Sequence, residues 1–178
     1  MTVKLLGISG SLRAVSTNRK LIREAARLFG DCDYTEADLH LPLYDGDLES
    51  AQGIPAGVQT LADQIAAADA VAISGPEYNK GVSGVLKNAL DWVSRTKGNP
   101  WLNKPVAILS AAAGRAGGER TQTMLRSCMV AFRPRILQGP EILVAQSSSQ
   151  FDEEGRLTNE RYEKALTELM QALRSEIR

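Results

Sequence analysis

Gly10-Ser11-Leu12-Arg13-Ala14-Val15-Ser16-Thr17-Asn18 decides how this chain is read. Residues 3–9 before it (Val-Lys-Leu-Leu-Gly-Ile-Ser) are mostly apolar and read as a buried strand. Residues 17–29 after it read as a helix, with Leu21, Ile22, Ala25, Ala26 and Leu28 or Phe29 along one side. Hydroxyls, one guanidinium and unpaired main-chain N–H groups therefore meet at a helix N-terminus. That combination suits a cluster of anionic oxygens, most simply a phosphate. It also suits an ordinary strand-to-helix turn in which Ser16 or Thr17 is only the N-cap. The loop has no Gly-x-x-x-x-Gly-Lys-Ser/Thr, and Gly7 and Gly10 do not make Gly-x-Gly-x-x-Gly. Both absences argue against an ATPase loop and a conventional NAD-binding domain.

Along the rest of the chain strands and helices alternate. Residues 33–39 are expected to form a weakly polar second strand near the sheet edge, and residues 40–54, with Pro42, Gly46 and Gly53, a loop. Residues 56–68 read as a helix with Val58, Leu61, Ala62 and Ile65 inward. Residues 69–74 and 105–110 are apolar on both faces, as strands inside a parallel sheet are. Helices are expected over 82–95 and 118–131, and a short fifth strand over 136–145, interrupted by Gly139-Pro140. The last helix spans about 159–176, with Tyr162, Leu166, Leu169, Met170, Leu173 and Ile177 at helical spacing. The alternation predicts one α/β domain over residues 1–178, a doubly wound five-stranded parallel sheet of order 2-1-3-4-5.

Composition narrows the function. The 178 residues are 43% hydrophobic and 24% charged, which is ordinary for a globular chain. Lysine plus arginine and aspartate plus glutamate are 21 each, so there is no basic excess to suggest nucleic acid and no strongly acidic docking surface. Cys32 and Cys128 form no CxxC pair and read as reduced thiols. His40 is the only histidine and reads as a loop residue, which excludes a histidine-built metal site. No signal peptide or membrane-spanning run is evident, so the expectation is a soluble cytoplasmic protein.

In the order 2-1-3-4-5 the carboxyl ends of strands 1, 3 and 4 are neighbours. Unusual loops follow all three: Ser11–Asn18, then Gly75-Pro76-Glu77-Tyr78-Asn79-Lys80-Gly81, then Ala111-Ala112-Ala113-Gly114-Arg115-Ala116-Gly117-Gly118. The arrangement outlines a flavin mononucleotide site, with the phosphate on the first loop and the ring against the other two. Four stretches carry a family resemblance: Gly-Ser-Leu-Arg-x-x-Ser-x-Asn (10–18), Leu-Pro-Leu-Tyr-Asp (41–45), Pro-Glu-Tyr-Asn (76–79) and Leu-Lys-Asn-Ala-Leu-Asp-Trp (86–92). In this order and spacing they resemble the NADPH-dependent FMN reductases. These are a flavodoxin-like group that includes quinone, chromate, ferric and azo-dye reductases. The resemblance runs from the first strand to about residue 130.

The resemblance implies roles at matching positions. Ser11, Arg13, Ser16, Thr17 and Asn18 would hold the FMN phosphate, with Val15 standing where the pattern has glycine. Pro76, Glu77, Tyr78 and Asn79 would line the ring, and Ser110, Gly114 and Arg115 would meet it from the third loop. Arg115 would tune the flavin by its charge, or is only a surface arginine. Lys87 and Asp91 read as a structural pair. Trp92 is either a subunit-interface anchor or intrachain core. Arg95, with Lys97 and Trp101 beyond it, is expected to meet the nicotinamide nucleotide across a homodimer or homotetramer, or to be an exposed basic loop.

The activity implied is an FMN-dependent NADH or NADPH oxidoreductase with ping-pong kinetics. Small-molecule electron acceptors are its partners: quinones, and by extension ferric complexes, chromate or azo dyes. Tyr78 and Arg95 position substrate, and no side chain acts as acid or base. Two other readings are a flavin reductase that releases reduced FMN and a non-enzymatic flavin electron carrier or redox sensor.

Overall fold

The computed structural model describes residues 2–177. In chain order the elements are β1 (Lys4–Ser9), α1 (Thr17–Phe29), β2 (Asp33–Glu36), α2 (Gly46–Gln52), α3 (Ala56–Ala67), β3 (Ala70–Ser74), β4 (Glu77–Tyr78), β5 (Gly81–Val82), α4 (Gly84–Val93), β6 (Pro105–Ala111), α5 (Glu119–Met129), β7 (Arg135–Ile136), β8 (Ile142–Val144) and α6 (Glu160–Ser175). The main sheet runs β2-β1-β3-β6, with β7 and β8 both pairing with β6, and every pairing is parallel. Counting β7 and β8 as halves of one strand gives the order 2-1-3-4-5.

Alternation along the strands builds two cores. Leu6, Ile8, Val71, Ile73, Val106 and Ile108 face one way, onto Leu61 and Ile65 of α3, Leu86 and Leu90 of α4, and Leu125 of α5. Leu5, Ala70, Ala107 and Leu109 face the other, onto Leu21, Ala25 and Phe29 of α1 and Leu166, Leu169 and Leu173 of α6. Successive strand side chains point to opposite faces, so strands apolar throughout must be covered on both sides. Gly7 leaves room for the Tyr34 ring, whose hydroxyl would lie 2.5 Å from a Cβ there.

Several elements depart from expectation. The second strand has four residues, not seven, because the Asp38 carboxylate accepts from the His40 N–H at 2.9 Å and turns the chain out of the sheet. Residues 40–54 contain α2, which is capped by Asp45 through the Asp47 N–H at 2.9 Å. This helix buries none of its residues, so it carries no apolar stripe to reveal it. The loop after β3 holds a hairpin: Glu77 pairs with Val82 and Tyr78 with Gly81. Asn79 (φ 50°) and Lys80 (φ 67°) form its two-residue turn. The fifth strand is two separate pieces flanking the cis Gly139–Pro140 bond.

Both tryptophans are intrachain core. Trp92 is fully buried, donates from Nε1 to the Pro42 carbonyl at 2.7 Å and meets Tyr44 edge-on at 5.0 Å between ring centres. Trp101 is buried against the α3–α5 face, which corrects its expected place at a partner's cavity.

One side chain fastens the carboxyl edge of the sheet to α1. The buried Asn18 Oδ1 accepts from the Ala111 N–H at 3.0 Å and the Ser74 hydroxyl at 2.8 Å, while its Nδ2 donates to the Ala111 carbonyl at 2.9 Å. Asn18→Ala leaves these buried groups unpaired and should cost about 2–3 kcal/mol by chemical denaturation. Asn18→Asp sets a carboxylate oxygen against the Ala111 carbonyl. Ionisation is then resisted in the fold but not in the unfolded chain, so this variant's deficit should widen as pH rises.

At the sheet edge, Glu36 accepts from Arg19 Nε at 2.7 Å and Arg23 Nε at 2.8 Å. Burial pushes its carboxyl upward, but the two guanidinium groups together outweigh burial and hold it below the usual carboxylate range. A depressed carboxyl stabilises the fold above its unfolded-state pKa, and that contribution vanishes as pH falls through the folded value. Glu36→Gln should therefore lower the melting temperature at neutral pH, with the gap to wild type closing between about pH 5 and pH 2.

Candidate functional site

The strand ends that Asn18 joins form the floor of a cavity. Main-chain bonds keep those ends in step: the Gly10 N–H donates to Ser74 O at 2.8 Å, that of Gly75 to Leu109 O at 3.1 Å, and that of Ala112 to Val144 O at 3.0 Å. The Ser83 hydroxyl, at the start of α4, donates to the Gly10 carbonyl at 2.7 Å. Above this edge lies a cavity of about 430 Å³ lined by Ser11, Arg13, Val15, Ser16, Thr17, Asn18, Lys20, Pro76, Glu77, Tyr78, Ala111, Ala112, Ala113, Ser147 and Ser148.

Its α1 end is rich in unused donors. Ser16 is the N-cap, its hydroxyl accepting from the Asn18 N–H at 3.2 Å. The turn before it closes through Ser16 N–H to Arg13 O at 3.1 Å. Among the described residues, the main-chain N–H groups of Arg13, Ala14, Val15 and Thr17 have no protein acceptor. Val15 is 70% exposed and lacks a positive φ, so a valine fits this turn without strain. The Thr17 and Ser147 hydroxyls lie 3.1 Å apart. Arg13 and Lys20 add two cations.

Away from α1 the lining is formed by Pro76, Glu77 and Tyr78 of the loop after β3 and by Ala111–Ala113 at and beyond the end of β6. Tyr78 is half exposed on its hairpin. The Glu77 carboxylate accepts from the Arg120 N–H at 3.1 Å, at the start of α5, whose N-cap Gly118 offers no side chain. Its charge thus complements a helix N-terminus, a role the sequence does not reveal. The lining holds no histidine or cysteine, and among the described residues no group of three or more His, Cys, Asp or Glu is placed to hold a metal ion.

The structure thus gathers Ser11, Arg13, Ser16, Thr17, Asn18, Pro76, Glu77 and Tyr78 onto one cavity and leaves other sequence candidates outside its lining. Asn18 is there as a brace, with both ends of its amide engaged by protein. Asn79 occupies the hairpin turn beyond the cavity. Ser110 is fully buried beneath the third loop, donating to Gly117 O at 2.7 Å and accepting from Gln122 at 3.0 Å. Gly114 and Arg115 sit on the exposed part of that loop. The loop closes at Gly117 (φ 62°), where a Cβ would lie 2.5 Å from the Leu143 backbone. Arg95 lies past the far end of α4 and is paired with Glu49 at 2.9 Å. Lys20, Ala111–Ala113, Ser147 and Ser148 enlarge the set beyond the sequence reading. Only the Ser147-Ser148-Ser149 run after the fifth strand hinted at the last two.

A second cavity of about 310 Å³ lies on the β2 side of the first loop, among Ser9, Ser11, Leu12, Arg19, Glu36, Ala37, Asp38, Leu39 and His40. Its charged groups largely satisfy one another. Glu36 is held by Arg19 and Arg23. Asp38 accepts from His40, through the backbone N–H and at 2.7 Å from Nδ1, and its carboxyl is lowered for that reason. The larger cavity fits FMN better. Its donor-rich α1 end matches a phosphate dianion, and Ala111 at the end of β6, with Ala112 and Ala113 after it, leaves room in the lining for a planar ring.

Known proteins resemble this chain in sequence and in fold. The family model for NADPH-dependent FMN reductase matches residues 3–149. An NAD(P)H-dependent FMN reductase of Pseudomonas aeruginosa is 41% identical over 99% of this chain and 96% of its own. A quinone reductase of Escherichia coli is 37% identical over 79% of this chain and 77% of its own. Among solved structures, FerB of Paracoccus denitrificans, a flavoenzyme NAD(P)H:(acceptor) oxidoreductase, superposes with a TM-score of 0.87 at 29% identity, covering 98% of this chain and 97% of its own. With its flavodoxin-like sheet and a family match that includes every residue lining the larger cavity, the chain belongs to the NADPH-dependent FMN reductases, oxidoreductases that use FMN with NAD(P)H as electron donor.

Proposed function

We propose that this chain reduces quinones with electrons from NADPH or NADH by a ping-pong mechanism, with ferric complexes, chromate and azo dyes as further acceptors of the same site. The observation that carries the reading is the polarity of the cavity. Phosphate-type donors crowd its α1 end, while a half-exposed tyrosine on a two-residue hairpin borders the other. The relatives named as quinone reductase and as NAD(P)H:(acceptor) oxidoreductase support the choice of acceptor.

In this reading Ser11, Arg13, Ser16 and Thr17, with the free N–H groups of the first loop, hold the FMN phosphate. Pro76, Glu77 and Tyr78 border the ring from one side and Ala111–Ala113 from the other. FMN, when bound, supplies the redox chemistry, taking a hydride from the nicotinamide and giving electrons to the acceptor. The protein contributes binding and orientation, which fits a lining without a free acid or base near Tyr78. Donor and acceptor take turns beside Tyr78, and the tyrosine offers an apolar face and a polar tip to each.

Arg95 serves the donor only from a second copy in a homodimer or homotetramer, because α4, about 15 Å long, carries it away from its own chain's cavity. Arg95→Ala should then raise the KM for NAD(P)H several-fold while flavin content stays unchanged; an unaltered KM removes Arg95 from the reading.

The first test is anaerobic titration of the flavin-loaded protein with NADPH and NADH, followed by a benzoquinone. Bleaching of the flavin bands by the nucleotide and their return with quinone are expected, with parallel double-reciprocal plots in steady state. Intersecting plots overturn the ping-pong mechanism. Bound flavin that neither nucleotide bleaches points instead to a carrier or sensor, and flavin lost on gel filtration points to a reductase that releases it.

A further inference from the structure

We infer that Lys20, held in place by residues 146–158, reads the flavin phosphate and makes the site select FMN over riboflavin; this rests on the flavin-site reading above. Lys20 is the fourth residue of α1. Side chains on a helix lean toward its N-terminus, so a lysine one turn in carries its ammonium back to the helix start. There it lines the cavity together with Arg13. The other two cations in this half of α1 are not free in the same way, because Arg19 and Arg23 both pair with Glu36. Lys20 has no carboxylate partner among the described residues. The lone carboxylate in the lining, Glu77, is engaged by α5.

The C-terminal segment fixes where Lys20 points. Its stem passes over Gly155, where an added Cβ would lie 3.6 Å from Lys20 Cγ. Its ammonium is 5.9 Å from the centre of the Phe151 ring. Phe151 is bridged to Leu157, and the Leu157 N–H donates at 3.3 Å to the buried Glu24 carboxylate of α1. At its near end the segment meets α1 through the Thr17 and Ser147 hydroxyls. Two cations facing one cavity match a phosphate monoester dianion. Riboflavin, which ends there in a neutral hydroxyl, leaves both without a counter-charge.

The test is fluorescence titration of flavin-free wild type, Lys20→Met, Lys20→Arg and Phe151→Leu with FMN and with riboflavin. Wild type should prefer FMN. Lys20→Met should weaken FMN binding roughly 10- to 100-fold and leave riboflavin within about twofold. Lys20→Arg should recover most of the FMN affinity, and Phe151→Leu should show a smaller loss confined to FMN. Added salt should weaken FMN binding more steeply in wild type than in Lys20→Met. Equal FMN affinity in wild type and Lys20→Met overturns the inference, as does a parallel fall in riboflavin affinity. A wild-type protein that binds neither flavin overturns the site reading itself.

Discussion

The carboxylate-free amide of Asn18 is the interaction on which the site depends. A single side chain in the first turn of α1 bonds the ends of β3 and β6. An asparagine can do this because it carries a donor and an acceptor on one rigid plane. It satisfies the buried strand ends from within the protein, while among the described residues the N–H groups of Arg13, Ala14, Val15 and Thr17 keep no protein acceptor. The donor-rich end of the cavity follows from where the protein completes its own hydrogen bonds and where it leaves them open.

The same division runs through the charged residues. Arg19, Arg23, Arg27 and Arg95 are all paired with glutamates. Most of these pairs are partly exposed and individually worth little to stability. Their consequence is electrostatic: they neutralise the arginines around α1 and α4, so the unbalanced positive charge of the cavity comes from Arg13 and Lys20. A chain with no net charge can still present a strongly cationic spot by this arrangement.

How much of this was legible follows from the distance over which each feature is determined. The buried strands announced themselves because parallel strands covered on both faces must be apolar throughout, as Ala70–Ser74 and Pro105–Ala111 are. The first loop was legible because its residues act within one turn of chain. α2 was missed because it buries nothing, although Asp45 and Gly53 mark its ends. Ser110 was misplaced because alternation along β6 turns it away from the cavity, while the alanines after it carry no chemical signal. Ser147 went unnoticed because it meets Thr17 from 130 positions away, and Lys20 because its ring partner Phe151 comes from the same distant segment. Arg95 had the right chemistry for a nucleotide phosphate, but nothing local discloses that Glu49 holds it at the far end of α4.

The two margins of the main sheet carry a different consequence. On one side β2 offers four residues, two of them acidic, and leaves the sheet at the Asp38 turn. On the other, β7 and β8 are two and three residues long and separated by the Gly139–Pro140 turn. Long, flat, uncharged margins template aggregation by adding strands from other molecules. This chain has neither margin long enough to recruit one, so crowding at high expression favours contact through helical surfaces over continuous cross-β growth.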